Sequence, residues 1–312
     1  MSSRTEALLF VLVAPAILTE VASGNTPVHA LLDLRVTLFL ILAYGFPVLV
    51  IRELSLRWRL STAGIFLLGV AYGIVNEGLL AQTLVRYEHV PIDTFDRYIY
   101  VAGFNLSWAS VILPWHAVFA VLFPLVLAAL WFPSSAQHLW TSKSVFGLLS
   151  GGLIALLVFV SLARTPRLQM LVCLLAIAAL ICGSSVFRNR ASFAASTCGH
   201  SRTTAFLFGL FSYPAFVLGS IVLAVRRVPA PLFFLFVFAV LFSLATVSRL
   251  KGLLRAPAAP YLALGSYCSM ALFHLLVGVS HHAAEDIVTG AVLATTFLLS
   301  SRHRPSPGTL CP

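Results

Sequence analysis

Residues 62–84 read TAGIFLLGVAYGIVNEGLLAQTL, an apolar run with one carboxylate, Glu77, beside Asn76. About 20 apolar residues in a helix cover the hydrocarbon core of a bilayer. In lipid a backbone satisfies its own hydrogen bonds only as a helix or a closed barrel. The run therefore predicts a transmembrane helix. A charge inside such a helix is a candidate functional group.

The same pattern recurs along the chain. Apolar segments of spanning length fall near 7–23, 36–52, 62–84, 109–132, 145–163, 168–187, 204–225, 232–248, 261–280 and 287–301. The chain has 312 residues, 60% hydrophobic and 10% charged. An average soluble domain carries about 25% charged residues, so the expected fold is all-α: a polytopic transmembrane bundle of about ten spans. The count becomes nine if the last segment is re-entrant or the first is cleaved. Arg4, an apolar stretch and Val21-Ala22-Ser23 resemble a signal peptide, whereas Pro15 and Glu20 favour a retained helix.

The net charge of +10 does not point to nucleic acid, because the basic residues are scattered between apolar runs without a nucleic-acid motif. The lipid bilayer is the expected partner. Five cysteines form no CxxC pair or metal spacing. With ten spans, thirteen Lys and Arg residues fall on the side of the N-terminus, including Arg4, Arg52, Arg57, Arg59, Lys143, Arg188 and Arg202, against seven on the other. The positive-inside rule then places both termini in the cytoplasm of a bacterial inner-membrane protein. Arg52, Glu53, Arg57, Trp58 and Arg59 read as an inner-face anchor with an anionic lipid contact. Gly45 and Pro47 predict a kink.

No soluble domain is visible. Residues 1–132 form a four-helix half that carries the Asn76-Glu77 pair, and residues 133–312 a half of about six helices with a short tail. Four ionisable residues lie within predicted spans: Glu20, Glu77, His116 and His274. At a rise of ~1.5 Å per residue they share a layer about 10 Å thick in the outer half of the membrane. Glu77, Asn76, His116 and His274 are the candidate catalytic residues; Glu20 and Asn105 are candidates for binding substrate or an ion. Gly69 and Gly73 share a helix face with Tyr72 and Asn76, and the small-xxx-small spacing admits a close neighbour. The structural alternative is a Glu77 that only holds helices together. His281 with Glu285, and His282 with Asp286, are spaced i,i+4 and suit a divalent metal; acids that start a helix are the plainer account. HExxH, GxSxG and P-loop motifs are absent, which argues against common metalloprotease, serine hydrolase and ATPase chemistry.

Glu20-Val-Ala-Ser-Gly-Asn-Thr-Pro27, Tyr44-Gly45, Ile51-Arg52-Glu53-Leu54 and Ala71-Tyr72-Gly73-Ile74-Val75-Asn76-Glu77-Gly78-Leu79 resemble a group of uncharacterised bacterial multi-pass membrane proteins. Those proteins carry Glu-Glu-Gly-Leu where this chain has Asn76-Glu77-Gly78-Leu79. More remotely, a glutamate motif followed by histidines on later helices is similar to the CPBP (CAAX-type) intramembrane proteases. That similarity implies Glu77 as general base or ligand orienter, with His116 and His274 as metal ligands or oxyanion stabilisers. Asn76 replaces the first glutamate of that motif and Ala81 its arginine. Three functions follow as expectations: a metal-dependent hydrolase-like site acting on a membrane peptide, a proton- or cation-coupled transporter of an ion or small molecule, and a non-catalytic scaffold.

Overall fold

The computed structural model describes residues 3–136, 138–188, 202–250, 258–280 and 283–302. The chain is a bundle of long helices, as the composition requires. In chain order, α1 runs Ser3–Ala16 and continues as a π-helical turn, Ile17–Val21. It is followed by α2 (Leu34–Trp58), α3 (Thr62–Leu80) and α4 (Leu106–Trp131). The remainder are α5 (Lys143–Arg164), α6 (Arg167–Ser184), α7 (Arg202–Val225), α8 (Ala230–Leu250), α9 (Ala259–Ser280) and α10 (Ala284–Arg302). Eight of these, α2 to α9, are long and apolar enough to cross a membrane. The outer two carry more polar groups, Arg4, Glu6 and Glu20 in α1 and Glu285 and Asp286 in α10.

The layers follow from which faces are apolar. Buried residues of α1, α2, α3 and α4 form one core around Val11, Val48, Leu68 and Val121. A second core joins α4 to α9 through Phe119, Phe123, Leu264 and Tyr267, with the Tyr267 hydroxyl on the Phe119 carbonyl at 2.5 Å. Helices α5 to α8 expose large apolar side chains such as Phe159, Leu175, Phe211 and Phe242. In a bilayer those faces meet acyl chains. Residues 85–105, between α3 and α4, fold onto the bundle: Phe95 is fully buried against Trp108 and Phe233.

Two glycines set the close approaches. A Cβ on Gly45 would sit 1.9 Å from the Leu12 carbonyl oxygen, and one on Gly69 would sit 2.6 Å from Ala117 Cα. The Gly69-x-x-x-Gly73 face thus receives α4, as its spacing predicts. The kink expected at Gly45 and Pro47 takes another form. Ile41–Gly45 is a π-helical turn, and Pro47 lies in the first turn of the α-helical stretch after it.

The helix expected over 62–84 ends at Leu80. Gln82 adopts φ 65° and donates Nε2 to Thr165 Oγ1 at 3.0 Å, so residues 81–84 turn back over the helix end. The last predicted segment, 287–301, extends instead over Ala284–Arg302, because Glu285 and Asp286 occupy its first turn.

The inner-face anchor expected at Arg52 is also corrected. Arg52 and Glu53 are 5% and 1% exposed, too buried for a lipid contact. Arg52 Nη1 donates to Glu53 Oε1 at 2.7 Å, while Nη2 donates to the carbonyls of Ser135, Ala136 and His138. Its guanidinium stacks 3.3 Å from the Trp140 ring centroid. Glu53 accepts from the Trp140 and Thr141 backbone N–H groups, and Arg4 donates to the Trp140 carbonyl. The pair binds the α4–α5 connection to α2 as a buried clamp.

Loop contacts define the two ends of the bundle. At the end opposite the clamp, Arg86 donates to the Arg164 carbonyl at 3.0 Å and the Tyr98 hydroxyl to the Val228 carbonyl at 2.6 Å. His29, from the α1–α2 connection, meets Glu285 of α10 at the same end.

Candidate functional site

Four π-helical turns occur among the described residues, Ile17–Val21, Ile41–Gly45, Val75–Leu80 and His116–Leu122. They fall one each in α1 to α4, and they carry Glu20, Tyr44, Glu77 and His116 in turn. A π turn inserts one residue into a helix and is found often at functional sites. At 3.6 residues per turn the insertion swings the following side chains by about 100°. Neighbouring helices pack these turns together, with Gly73 leaving room for the His116 Cβ.

Glu77 and His116 meet. His116 Nε2 lies 2.7 Å from Glu77 Oε1. The other oxygen, Oε2, accepts from the Thr83 hydroxyl, whose oxygen in turn accepts from Trp108 Nε1 at 2.9 Å. The chain reversal at Gln82 is what brings Thr83 back to the carboxylate. Glu77 is 8% and His116 1% exposed. With Glu77 ionised, His116 supplies the hydrogen at Nε2. Its Nδ1 is buried with no hydrogen-bond partner.

Aromatic rings enclose the imidazole. Tyr44 stacks on it with centroids 6.2 Å apart, and Tyr72 and Trp115 present T-shaped contacts at 5.6 and 5.0 Å. Asn76 does not touch the carboxylate of Glu77 through any hydrogen bond in the structure. Its Nδ2 donates to the Tyr72 hydroxyl at 3.3 Å, and that hydroxyl donates to the Ala43 carbonyl at 2.9 Å. Asn76 therefore fixes Tyr72 against α2.

Glu20 forms a second polar node nearer the bundle end. The Tyr44 hydroxyl donates to Oε1 and the Thr26 hydroxyl to Oε2, the latter at 3.0 Å. Tyr44 thus touches both nodes, its hydroxyl on Glu20 and its ring on His116. Sequence reasoning missed Tyr44, Thr83 and Thr26 as members of a site. Tyr44-Gly45 stands within the family resemblance, and that was the available signal.

The remaining candidates lie elsewhere. His274 does not join Glu77: its Nε2 lies 3.1 Å from Asp286 Oδ1, and its ring packs under Gly24. Its position in α9 brings it close to the α1–α2 connection, and its partner comes from the next helix. Asn105 is a helix cap. Its Oδ1 accepts from the Trp108 backbone N–H at 2.9 Å and its Nδ2 donates to the Phe95 carbonyl at 2.9 Å. These bonds use the side chain to start α4 and hold the folded connection before it. His281 and His282 lie outside the described residues. Glu285, expected beside His281 as a metal ligand, accepts from the His29 backbone at 2.9 Å and pairs with its ring at 2.6 Å. The His29 backbone N–H, then its ring, hold the Glu285 carboxyl below the ordinary carboxylate range. Among the described residues no three His, Cys, Asp or Glu side chains group as a metal-holding set.

No curated protein and no solved structure shows a match to the sequence. A family model described as "Uncharacterized membrane protein family" matches residues 8–302. Nearly the whole chain, including every residue of the Glu77–His116 and Glu20–Tyr44 nodes, lies within that match, and the protein belongs to this membrane protein family.

Proposed function

We propose that the protein is a proton-coupled transporter of a bacterial inner membrane, with both termini cytoplasmic and the Glu77–His116 pair as its proton site. The observation that carries this reading is the buried His116 ring, bonded through Nε2 to Glu77 and unpartnered at Nδ1. A proton taken up at Nδ1 makes an imidazolium whose charge the adjacent carboxylate balances. Its release restores the neutral imidazole beside the carboxylate without moving a heavy atom. Ionisable groups inside a membrane bundle commonly mark ion and proton paths.

The orientation is supported by the charge at the two ends. In the order of the spans, thirteen Lys and Arg residues, with Arg4, Arg52, Arg57, Arg59, Lys143 and Arg188 among them, fall on the side of the clamp against seven on the other. That asymmetry suits a cytoplasmic clamp end.

Isotope-labelled histidine NMR of the purified protein, with proton-driven flux in proteoliposomes, tests the reading. Reversible protonation at His116 Nδ1 is expected, together with at least tenfold loss of proton flux in Glu77→Gln. Flux that ignores both the pH gradient and Glu77→Gln would overturn it. A second reading draws on the same carboxylate–imidazole pair, which is also the arrangement of a general base for hydrolysis. Cleavage of membrane peptides that depends on Glu77 would favour it. If Glu77→Gln lowers only thermal stability, the pair is a structural joint.

A further inference from the structure

We infer that the turn closing α1 is a binding site for a monovalent alkali cation, built on Glu20. The inference goes beyond the proton reading and stands apart from it, since it uses a different carboxylate and needs no proton movement. Glu20 occupies the final turn of α1, in its π-helical end, and no basic residue shares that turn. Backbone carbonyls at a helix C-terminus carry partial negative charge, so a carboxylate there stands at the unfavourable end of the dipole. Among the described residues no ion pair involves Glu20. A half-buried negative charge in a membrane bundle, placed on a negative helix end, calls for a positive partner.

The groups bonded to Glu20 and its turn define that partner. Glu20 is bonded by the Tyr44 and Thr26 hydroxyls, and the Ser23 hydroxyl bonds the Thr19 and Glu20 carbonyls. Gly24, at φ 81°, turns the chain so that the Thr26 backbone N–H also reaches the Glu20 carbonyl at 3.1 Å. The set is carboxylate, hydroxyl and carbonyl oxygen. Oxygen donors select hard cations. The hydroxyl hydrogens can rotate away and offer their oxygens instead. One carboxylate balances one positive charge, which selects an alkali ion over calcium or magnesium; those need more carboxylate oxygens or bound water. Gly24 and Asn25 are exposed beside the turn, giving an approach from the bundle end. Tyr44 joins the site to the interior by contact, because its ring stacks on His116.

Thermal melting of the full-length protein in detergent tests this. Sodium, potassium, lithium and choline chlorides are compared at equal ionic strength and neutral pH. A ligand that binds only the folded state raises the melting temperature in a saturable way. One alkali cation is expected to raise it by about 2–4 °C or more over choline. Glu20→Gln should abolish that shift, Thr26→Val should move it to higher cation concentration, and Glu77→Gln should leave it in place. If Glu20→Gln does not fold, Thr26→Val and Tyr44→Phe provide the same comparison. Equal melting in all four salts, or a shift whose size and cation-concentration dependence are unchanged by these substitutions at Glu20, Thr26 and Tyr44, overturns the site. Failure here leaves His116 protonation and Glu77-dependent flux untouched, so the two readings fail separately.

Discussion

Thr83 shows how a single hydroxyl satisfies two buried groups at once. It donates to Glu77 and accepts from the Trp108 indole, so each of three polar groups is satisfied through it. Thr83→Val keeps the shape but leaves a carboxylate oxygen and an indole N–H without that partner. Each buried group left unpaired costs about 1–3 kcal/mol, and a lower melting temperature with an altered His116 tautomer balance is expected, measured by thermal unfolding and histidine NMR. Glu77 and His116 were legible in the sequence because a charge and an imidazole stand out in apolar runs. Tyr44 and Thr83 were not, since a tyrosine or threonine in a membrane helix fits packing equally well. Asn105 misled for the same reason in reverse. Its polar amide suggested a ligand, and its work is to cap α4 and hold the Phe95 carbonyl.

The four π turns belong to the scale of the element. They give α1 to α4 a local change of side-chain direction at the places where Glu20, Tyr44, Glu77 and His116 stand. Apolar run lengths predicted these helices well, but a run length is blind to one inserted residue. The turn in α2 also depends on Gly45, where the Leu12 carbonyl approaches closely. Gly45→Ala should therefore push α1 away and cost about 1–3 kcal/mol, as overpacking does. A Cβ added to Gly147 on α5 would meet nothing within 4 Å, so Gly147→Ala should stay within about 1 kcal/mol of the parent, on the stabilising side. Melting temperatures of the two variants, each against the parent, check the contrast. A Gly45→Ala protein as stable as Gly147→Ala would mean that α1 moves freely against α2.

For the whole molecule, the bundle class and the order of the helices were legible because lipid permits few backbone arrangements. The clamp was not. Arg52 and Arg57 counted as loop charges in the orientation argument, yet they are tied into the α4–α5 connection by Glu53, Trp140 and Thr141. Sequence reveals charge and spacing, and it hides which distant loop supplies the carbonyls. Glu53→Ala leaves Arg52 buried without its carboxylate, a loss of about 3–5 kcal/mol for a broken buried pair. Faster protease cleavage within 133–142 and a lower melting temperature are expected; unchanged cleavage would show that the connection holds by other contacts. One consequence concerns the order in which the protein is made. Every hydrogen bond of the Glu77–His116 and Glu20–Tyr44 nodes joins residues before the end of α4. Synthesis runs at about 5–20 residues per second, so these residues enter the bilayer on the order of ten seconds before the last helix emerges. The polar groups can then find one another early, and the later helices close around a centre whose hydrogen bonds are already made.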